Sequence, residues 1–229
     1  MSDTIELLGK TRLFGALEPE TLGKVARQLR PVSFKTNQQI FSRGDPGSEL
    51  YLMLEGRVRL SIISLEGREL AFTHALAGDV FGEIATLDGG ARTADATAVS
   101  PVKTLMMSRA QVASLVETSP RFARAAIDLL CQRLREGDQQ LEVIALHRIE
   151  VRLARYLLSA VRQQHGDKPP ADPLIRLGIS QGELALVVGA SRPKVNAALM
   201  MLEDTGAITR KGDGFVCNLD ELAMIGEVG

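Results

Sequence analysis

Glu83 and Arg92 are the charged pair whose types and spacing offer chemistry, the first closing the segment Phe81-Gly82-Glu83 and the second opening Arg92-Thr93-Ala94 nine residues later. A fixed carboxylate accepts hydrogen bonds from the hydroxyls of a sugar diol. A forked guanidinium, helped by main-chain N–H groups, holds a delocalised phosphate diester. Together on one loop they suit a cyclic ribose phosphate. Glycines at 82, 89 and 90 remove the Cβ atoms that would keep the backbone away from such a ligand. An acid and a base at this spacing also make an ordinary ion pair beside a hairpin, which stabilises little.

The full string FGEIATLDGGARTADATA resembles the phosphate-binding cassette of cyclic-nucleotide-binding domains in bacterial receptors and channels. The resemblance implies that Glu83 binds the ribose, that Arg92 and the adjacent Thr93 bind the phosphate, and that Gly82, Ile84 and Ala85 line the loop.

The surrounding pattern supplies the elements to position that loop. Glu18-Pro19-Glu20 precedes apolar residues at Leu22, Val25, Ala26 and Leu29, the spacing of a short amphipathic helix within 13–29. Between about 31 and 107, short β-prone runs follow, among them Glu49 to Leu54, Arg57 to Ile63 and Val102 to Met107. Glycines at 44, 47, 56, 67 and 78 punctuate them, which reads as a small β-roll or barrel with the binding loop between strands.

No proline occurs between Pro120 and Pro169, and the interval is rich in helix formers, with Ser119 placed as an N-cap. Ile127, Cys131, Leu134, Asp138, Leu141 and Ala145 recur at spacings of four and three, a coiled-coil seam that predicts a parallel homodimer. Packing of the same stripe on the chain's own roll is the alternative. Asp138 is the anomaly in that stripe, because an unpaired carboxylate is costly to bury and Gly137 before it weakens a helix by ~1 kcal/mol relative to alanine. A guanine edge, with N1–H and N2–H side by side, matches a carboxylate; an adenine edge does not. In the cyclic-AMP receptor family the matching pair is two hydroxyl residues that contact adenine. Gly137 and Asp138 in their place leave cyclic GMP and cyclic AMP both open, and Thr93 resembles the threonine of cyclic-GMP channels. Asp138 as a mere register or water-facing residue is the plain reading.

Near the C-terminus, Ser180 and Glu183 have the spacing of a capping box, and Ala185, Gly189 and Val195 have that of a helix-turn-helix. Ser191 is placed to cap the second helix, with Arg192 and Pro193 in its first turn. The order of roll, long helix and helix-turn-helix resembles the cyclic-AMP receptor protein and FNR superfamily of bacterial transcription regulators over nearly the whole chain. That resemblance implies an α+β fold: a cyclic-nucleotide-binding β-roll over 1–118, a dimerisation helix and hinge over 119–148, and a winged helix-turn-helix over 149–229. It also implies a recognition helix from Ser191 to Met200 and a wing over 206–216. Arg192 is the candidate for reading a guanine edge, with Lys194 and Asn196 beside it. Ser180, Ser191, Arg210 and Lys211 are candidates for phosphate contacts. Where the family reads bases with a glutamate and a second arginine, this chain has Pro193 and Ala197, so a different operator is expected. The partners implied are double-stranded DNA, a second copy of the chain and RNA polymerase.

Composition narrows the alternatives. With 45% hydrophobic and 24% charged residues over 229 positions, the chain can bury one large or two modest cores. No apolar run approaches the ~18 residues of a membrane span, and no basic-then-apolar leader opens it, so a cytoplasmic location is expected. Cys131 and Cys217 are too far apart to read as a cluster or metal ligand set, and His74, His147 and His165 share no metal spacing. No metal, haem or iron–sulfur cluster is expected. His74 reads as lying on a strand face and the other two as facing solvent. No nucleophile elbow, P-loop or zinc-helix motif occurs, so no enzyme is expected. The formal net charge of −1, with acids outnumbering bases beyond residue 172, leaves DNA contact to local clustering. The same fold could instead sense cyclic di-GMP, act without ligand, or serve as a nucleotide-sensing adaptor for a protein partner. In calorimetric titrations with both nucleotides, Asp138→Ala is expected to weaken cyclic GMP selectively. Tighter cyclic-AMP binding that the substitution leaves unchanged removes the guanine reading.

Overall fold

The computed structural model describes residues 2–227. Its contacts fall into two units that meet between Glu136 and Gly137, inside the long helix. The first unit begins with α1 (Ser2–Lys10) and α2 (Pro19–Gln28), where Pro19 sits in the first turn and needs no intrahelical N–H partner. The sequence pattern finds α2 within 13–29 and misses α1, a nine-residue helix whose Leu8 is fully buried.

Strands β1 (Arg30–Phe34), β2 (Gln39–Phe41), β3 (Glu49–Glu55), β4 (Val58–Ile63), β5 (Glu69–Ala75) and β6 (Val80–Phe81) follow. Next come a one-and-a-half-turn helix α3 (Glu83–Asp88), strands β7 (Asp95–Ala98) and β8 (Val102–Ser108), and helix α4 (Arg109–Thr118). Two four-stranded antiparallel sheets result, ordered β1-β8-β3-β6 and β2-β7-β4-β5. Their facing residues, including Met53, Val58, Phe81, Ala96 and Ala98, form the core of the roll. The runs expected at Glu49, Arg57 and Val102 are β3, β4 and β8. The binding loop contains α3, which the sequence reading passes over as loop. α4 is also unanticipated, although Ser108 and Gln111 make a reciprocal capping box at its start.

Helix α5 (Pro120–Leu146) opens with Ser119 Oγ accepting from the Phe122 N–H at 3.3 Å. Phe122, Ala125 and Ala126 face inward and join α1, α2 and the outer face of the β1-β8-β3-β6 sheet in a second core. Phe14 meets Phe122 there at 5.9 Å between ring centroids. Further along α5 the apolar stripe emerges: Ile127, Leu134 and Leu141 are 56%, 66% and 68% exposed, and Cys131, Asp138 and Ala145 are exposed with them. None of the six is buried. Gly137 does not interrupt the helix.

The second unit takes in the rest of α5, then α6 (Ile149–His165), β9 (Leu174–Ile175), α7 (Gln181–Val188), α8 (Arg192–Asp204), β10 (Ile208–Lys211), β11 (Gly214–Cys217) and α9 (Leu219–Glu227). α5 and α6 part at His147 and Arg148, at the end of the 119–148 stretch expected as dimerisation helix and hinge. His147 is not solvent-facing as expected: it is buried, and neither ring nitrogen has a hydrogen-bond partner. Nor is His165 free on the surface, since its Nε2 lies 3.0 Å from the Leu174 carbonyl. β10 and β11 form the wing and β9 extends it into three strands. Phe122→Ala should lower the stability of the N-terminal unit by ~3–5 kcal/mol, read as a shift in its urea midpoint. A loss below ~1 kcal/mol would show that α5 is not anchored through this ring.

Candidate functional site

The first site is assembled from β3, the β6–α3 junction, the turn before β7, and α5. Gly82 adopts a left-handed conformation (φ 77°) that ends β6 and starts α3. A Cβ there would stand 2.6 Å from Arg92 Nη1 and 3.1 Å from the Glu49 carbonyl, so the position needs glycine for both conformation and space. Its carbonyl accepts from Arg92 Nη1 at 2.9 Å and from Thr86 Oγ1 at 2.6 Å. The turn carrying Arg92 is pinned by its backbone, with the Arg92 N–H donating to the Asp45 carbonyl at 2.8 Å and its carbonyl accepting from Gly44 at 2.9 Å.

Arg92 is 4% exposed, and its guanidinium lies 4.2 Å over the Phe41 ring, which packs in turn on Tyr51 and Phe81. Nη2 stands 3.5 Å from Glu49 Oε2. Nε is buried and has no partner. Burial holds the guanidinium below its ordinary pKa, and nearby Tyr51, Glu49, Asp45 and Glu83 oppose that shift. Glu83, 5% exposed, is pushed above the ordinary carboxyl value by burial, against which the charge of Arg133 pulls it down. Arg133 Nε lies 3.4 Å from Glu83 Oε1, while its Nη2 donates to the Val80 carbonyl at 3.0 Å and its Nη1 lies 3.4 Å from Glu136. Desolvation of both charged groups is the cost of holding them in one pocket, and it is retained at sites that work.

The structure therefore brings Gly82, Glu83 and Arg92 together, with Ile84 and Ala85 in the first turn of α3 and Thr93 exposed beside Arg92. Gly137 and Asp138 belong to the second unit and are exposed. Two expectations change. A Cβ at Gly89 would collide with the Arg109 guanidinium, and one at Gly90 would press on Asp88, so the bare backbone there makes room for side chains of the chain itself. Arg133, Glu49 and Phe41 were not singled out by sequence reasoning. Arg133 stands one helical turn before Gly137, and that spacing was the available signal.

The second site lies in the C-terminal unit. Ser180 Oγ accepts from the Glu183 N–H at 3.1 Å, and Gly189 ends α7 with φ 69°. Ala185 and Val195 are buried between α7 and α8. Ser191 occupies the N-cap position of α8, but its side chain makes no cap hydrogen bond, contrary to expectation. Arg192 and Lys194 are exposed on the first turn of α8. Asn196 is half-buried, and its Oδ1 is shielded without a partner. Lys211 is exposed at the wing, whereas Arg210 is engaged by Glu203 and lies 5.9 Å over Phe215. Arg152, also unforeseen, ties this region together. It donates to the carbonyls of Ile144 (2.7 Å) and His147 (2.9 Å) at the helix break and to those of Val188 and Gly189 (both 3.3 Å) at the turn. Among the described residues no group of three or more His, Cys, Asp or Glu is placed to hold a metal, and no helix is long and apolar enough to cross a membrane.

Residues 31–119 match the cyclic nucleotide-binding domain family and residues 151–225 the Crp-like helix-turn-helix domain family. A CRP-like cAMP-activated global transcriptional regulator of Mycobacterium tuberculosis is 30% identical over 207 residues, covering 90% of this chain and 92% of that protein. The chain belongs to the CRP/FNR family of transcription regulators. A second CRP relative, the cyclic AMP receptor protein of Thermus thermophilus, is 33% identical over 216 residues, 94% of this chain and 95% of that one. The c-di-GMP responsive global regulator CLP of Xanthomonas campestris shares the CRP fold with a TM-score of 0.73, at 22% identity over 87% of this chain and 99% of that one. Members of the CRP/FNR family are DNA-binding regulators, and regulation of transcription is not an enzymatic reaction.

Ligand-free Glu83→Gln should report on carboxylate burial. A carboxyl with a raised folded pKa contributes stability below its ordinary value of 4.5 and loses that contribution as pH rises through the folded value. In urea titrations the glutamine variant is therefore expected to gain on wild type as pH climbs above ~5. Wild type gaining on the variant over that range would mean that Arg133 outweighs burial.

Proposed function

We propose that this chain is a homodimeric transcription regulator whose N-terminal unit binds a cyclic mononucleotide, cyclic AMP or cyclic GMP, and whose winged helix-turn-helix binds operator DNA in response. One observation carries the reading: the buried Arg92 guanidinium keeps an unpartnered Nε–H within electrostatic reach of the buried Glu83 carboxylate. A buried donor without an acceptor costs ~1–3 kcal/mol, and an anion that accepts from it removes that cost. A cyclic phosphate supplies the acceptor, and the adjoining ribose supplies hydroxyl donors for Glu83. The names of the Mycobacterium and Thermus relatives, both cyclic-AMP proteins, agree with this chemistry.

Glu83, Arg92 and Thr93 hold the sugar phosphate, with Gly82, Ile84 and Ala85 lining it and Arg133 holding the Glu83 carboxylate. Gly137 and Asp138 read the base. The exposed stripe on α5 is the homodimer seam, in which Leu134 and Leu141 meet their counterparts. Ligand acts by preferring one setting of the two DNA-binding units, with the hinge at His147 to Glu150. Arg192 reads a base edge, with Lys194 and Asn196 beside it, while Ser180, Ser191 and Lys211 contact phosphates. Arg210 reaches a phosphate only by leaving Glu203. The regulator works in the cytoplasm with RNA polymerase as its further partner. A second reading, the same fold tuned to cyclic di-GMP, has the fold of CLP in its favour.

Nucleotide titration coupled to a DNA-shift assay tests the proposal. Cyclic AMP or cyclic GMP should change operator affinity, and Arg92→Ala should weaken that response at least about tenfold. Arg192→Ala should cost ~1–3 kcal/mol of operator affinity and loosen sequence preference, whereas Lys211→Ala should reduce the salt slope by ~1. A response to cyclic di-GMP alone favours the second reading, and no DNA retarded under any condition favours a protein partner.

A further inference from the structure

The guanidinium that would hold the phosphate already has a carboxylate beside it. Nη1 of Arg92 is committed to the Gly82 carbonyl, and the Phe41 ring covers one face. What remains for an anion is the side of the fork made by Nε and Nη2. Nε has no partner, and Glu49 Oε2 stands 3.5 Å from Nη2. That distance is long for a charge-assisted hydrogen bond, which closes at ~2.7–2.9 Å, so the pair attracts without locking. The Glu49 side chain keeps 32% of its surface while that of Arg92 keeps 3%. The carboxylate is thus the more accessible of the two groups.

Charge is sparse on the positive side. Asp45, Glu49 and Glu83 all act on Arg92, and the other cation at the site, Arg133, faces Glu83 and Glu136. A ligand anion entering the fork meets Glu49 at close range in a partly desolvated setting, where each further negative charge is repelled. Cyclic diesters carry one negative charge. The phosphomonoester formed when such a ring is hydrolysed carries nearly two at neutral pH.

We propose that Glu49 is a specificity-determining residue, its carboxylate beside Arg92 Nη2 rejecting doubly charged phosphomonoesters while admitting the singly charged cyclic diester. The inference rests on the cyclic-nucleotide reading of the site and adds to it a reason why the hydrolysed nucleotide does not compete. Specificity of this kind comes from a built-in repulsion and not from an added contact.

The test is calorimetric titration of the full chain, as wild type, Glu49→Gln and Glu49→Asp, with cyclic AMP, cyclic GMP and the two corresponding 5′-monophosphates. Thermal melts of each variant confirm that it is folded. Glu49→Gln is expected to narrow the preference for cyclic over 5′-nucleotide by about tenfold, mainly by strengthening the monophosphate, and Glu49→Asp is expected to retain most of the preference. An unchanged ratio in Glu49→Gln, or an equal loss of affinity for both classes, would mean that Glu49 only positions Arg92 and would overturn the inference alone. Failure of wild type to bind either cyclic nucleotide would overturn the functional reading and this inference together.

Discussion

Keeping an arginine and a glutamate out of water close to one another is the constraint around which the N-terminal unit is organised. Neither side chain is desolvated cheaply, and neither is locked to a close charged partner. For Arg92 the supports are the Gly82 carbonyl, the Phe41 ring and a distant Glu49. For Glu83 the support is Arg133 at 3.4 Å. A tight direct pair would be more stable alone but would leave nothing to offer a ligand. The loose arrangement stores unsatisfied hydrogen-bonding capacity at Nε of Arg92.

The scaffold explains how that arrangement survives. The aromatic floor of Phe41, Tyr51 and Phe81 belongs to the core between the two sheets of the roll, and Tyr51 and Phe81 stack at 5.0 Å. Backbone hydrogen bonds to Gly44 and Asp45 fix the Arg92 turn from the other side. α5 supplies Arg133 from a helix anchored by Phe122, so the hold on Glu83 depends on packing three turns earlier. In the second unit Arg152 does comparable work, one guanidinium satisfying carbonyls at the helix break and at the tight turn.

Sequence reasoning reached the acid, the base and the glycine of the pocket because their types and spacing are local. It reached β3, β4, β8, the long helix and the helix-turn-helix for the same reason, whereas the wing came from the family resemblance. It missed Glu49 and Phe41, which join Arg92 only when β2 and β3 are brought beside the turn before β7, a pairing that no local pattern announces. α1 is only nine residues long and was not singled out, and α3 is too short to show a helical period, so it read as loop. His147 looked like a surface residue because helical spacing gives its face but not what the turn into α6 folds over it. The family was legible from the order of elements together with the cassette.

Nucleotide recognition at this site turns on the Nε–H of Arg92 becoming an anion donor. Proton–nitrogen NMR of the arginine Nε–H groups, with Arg92→Lys to assign the signal, follows that atom during titration with cyclic AMP and cyclic GMP. The expected result is a downfield move of the Arg92 resonance and slower exchange with water, saturating at one nucleotide per chain. A nucleotide that changes DNA affinity while the Arg92 signal stays where it was would contradict the central claim.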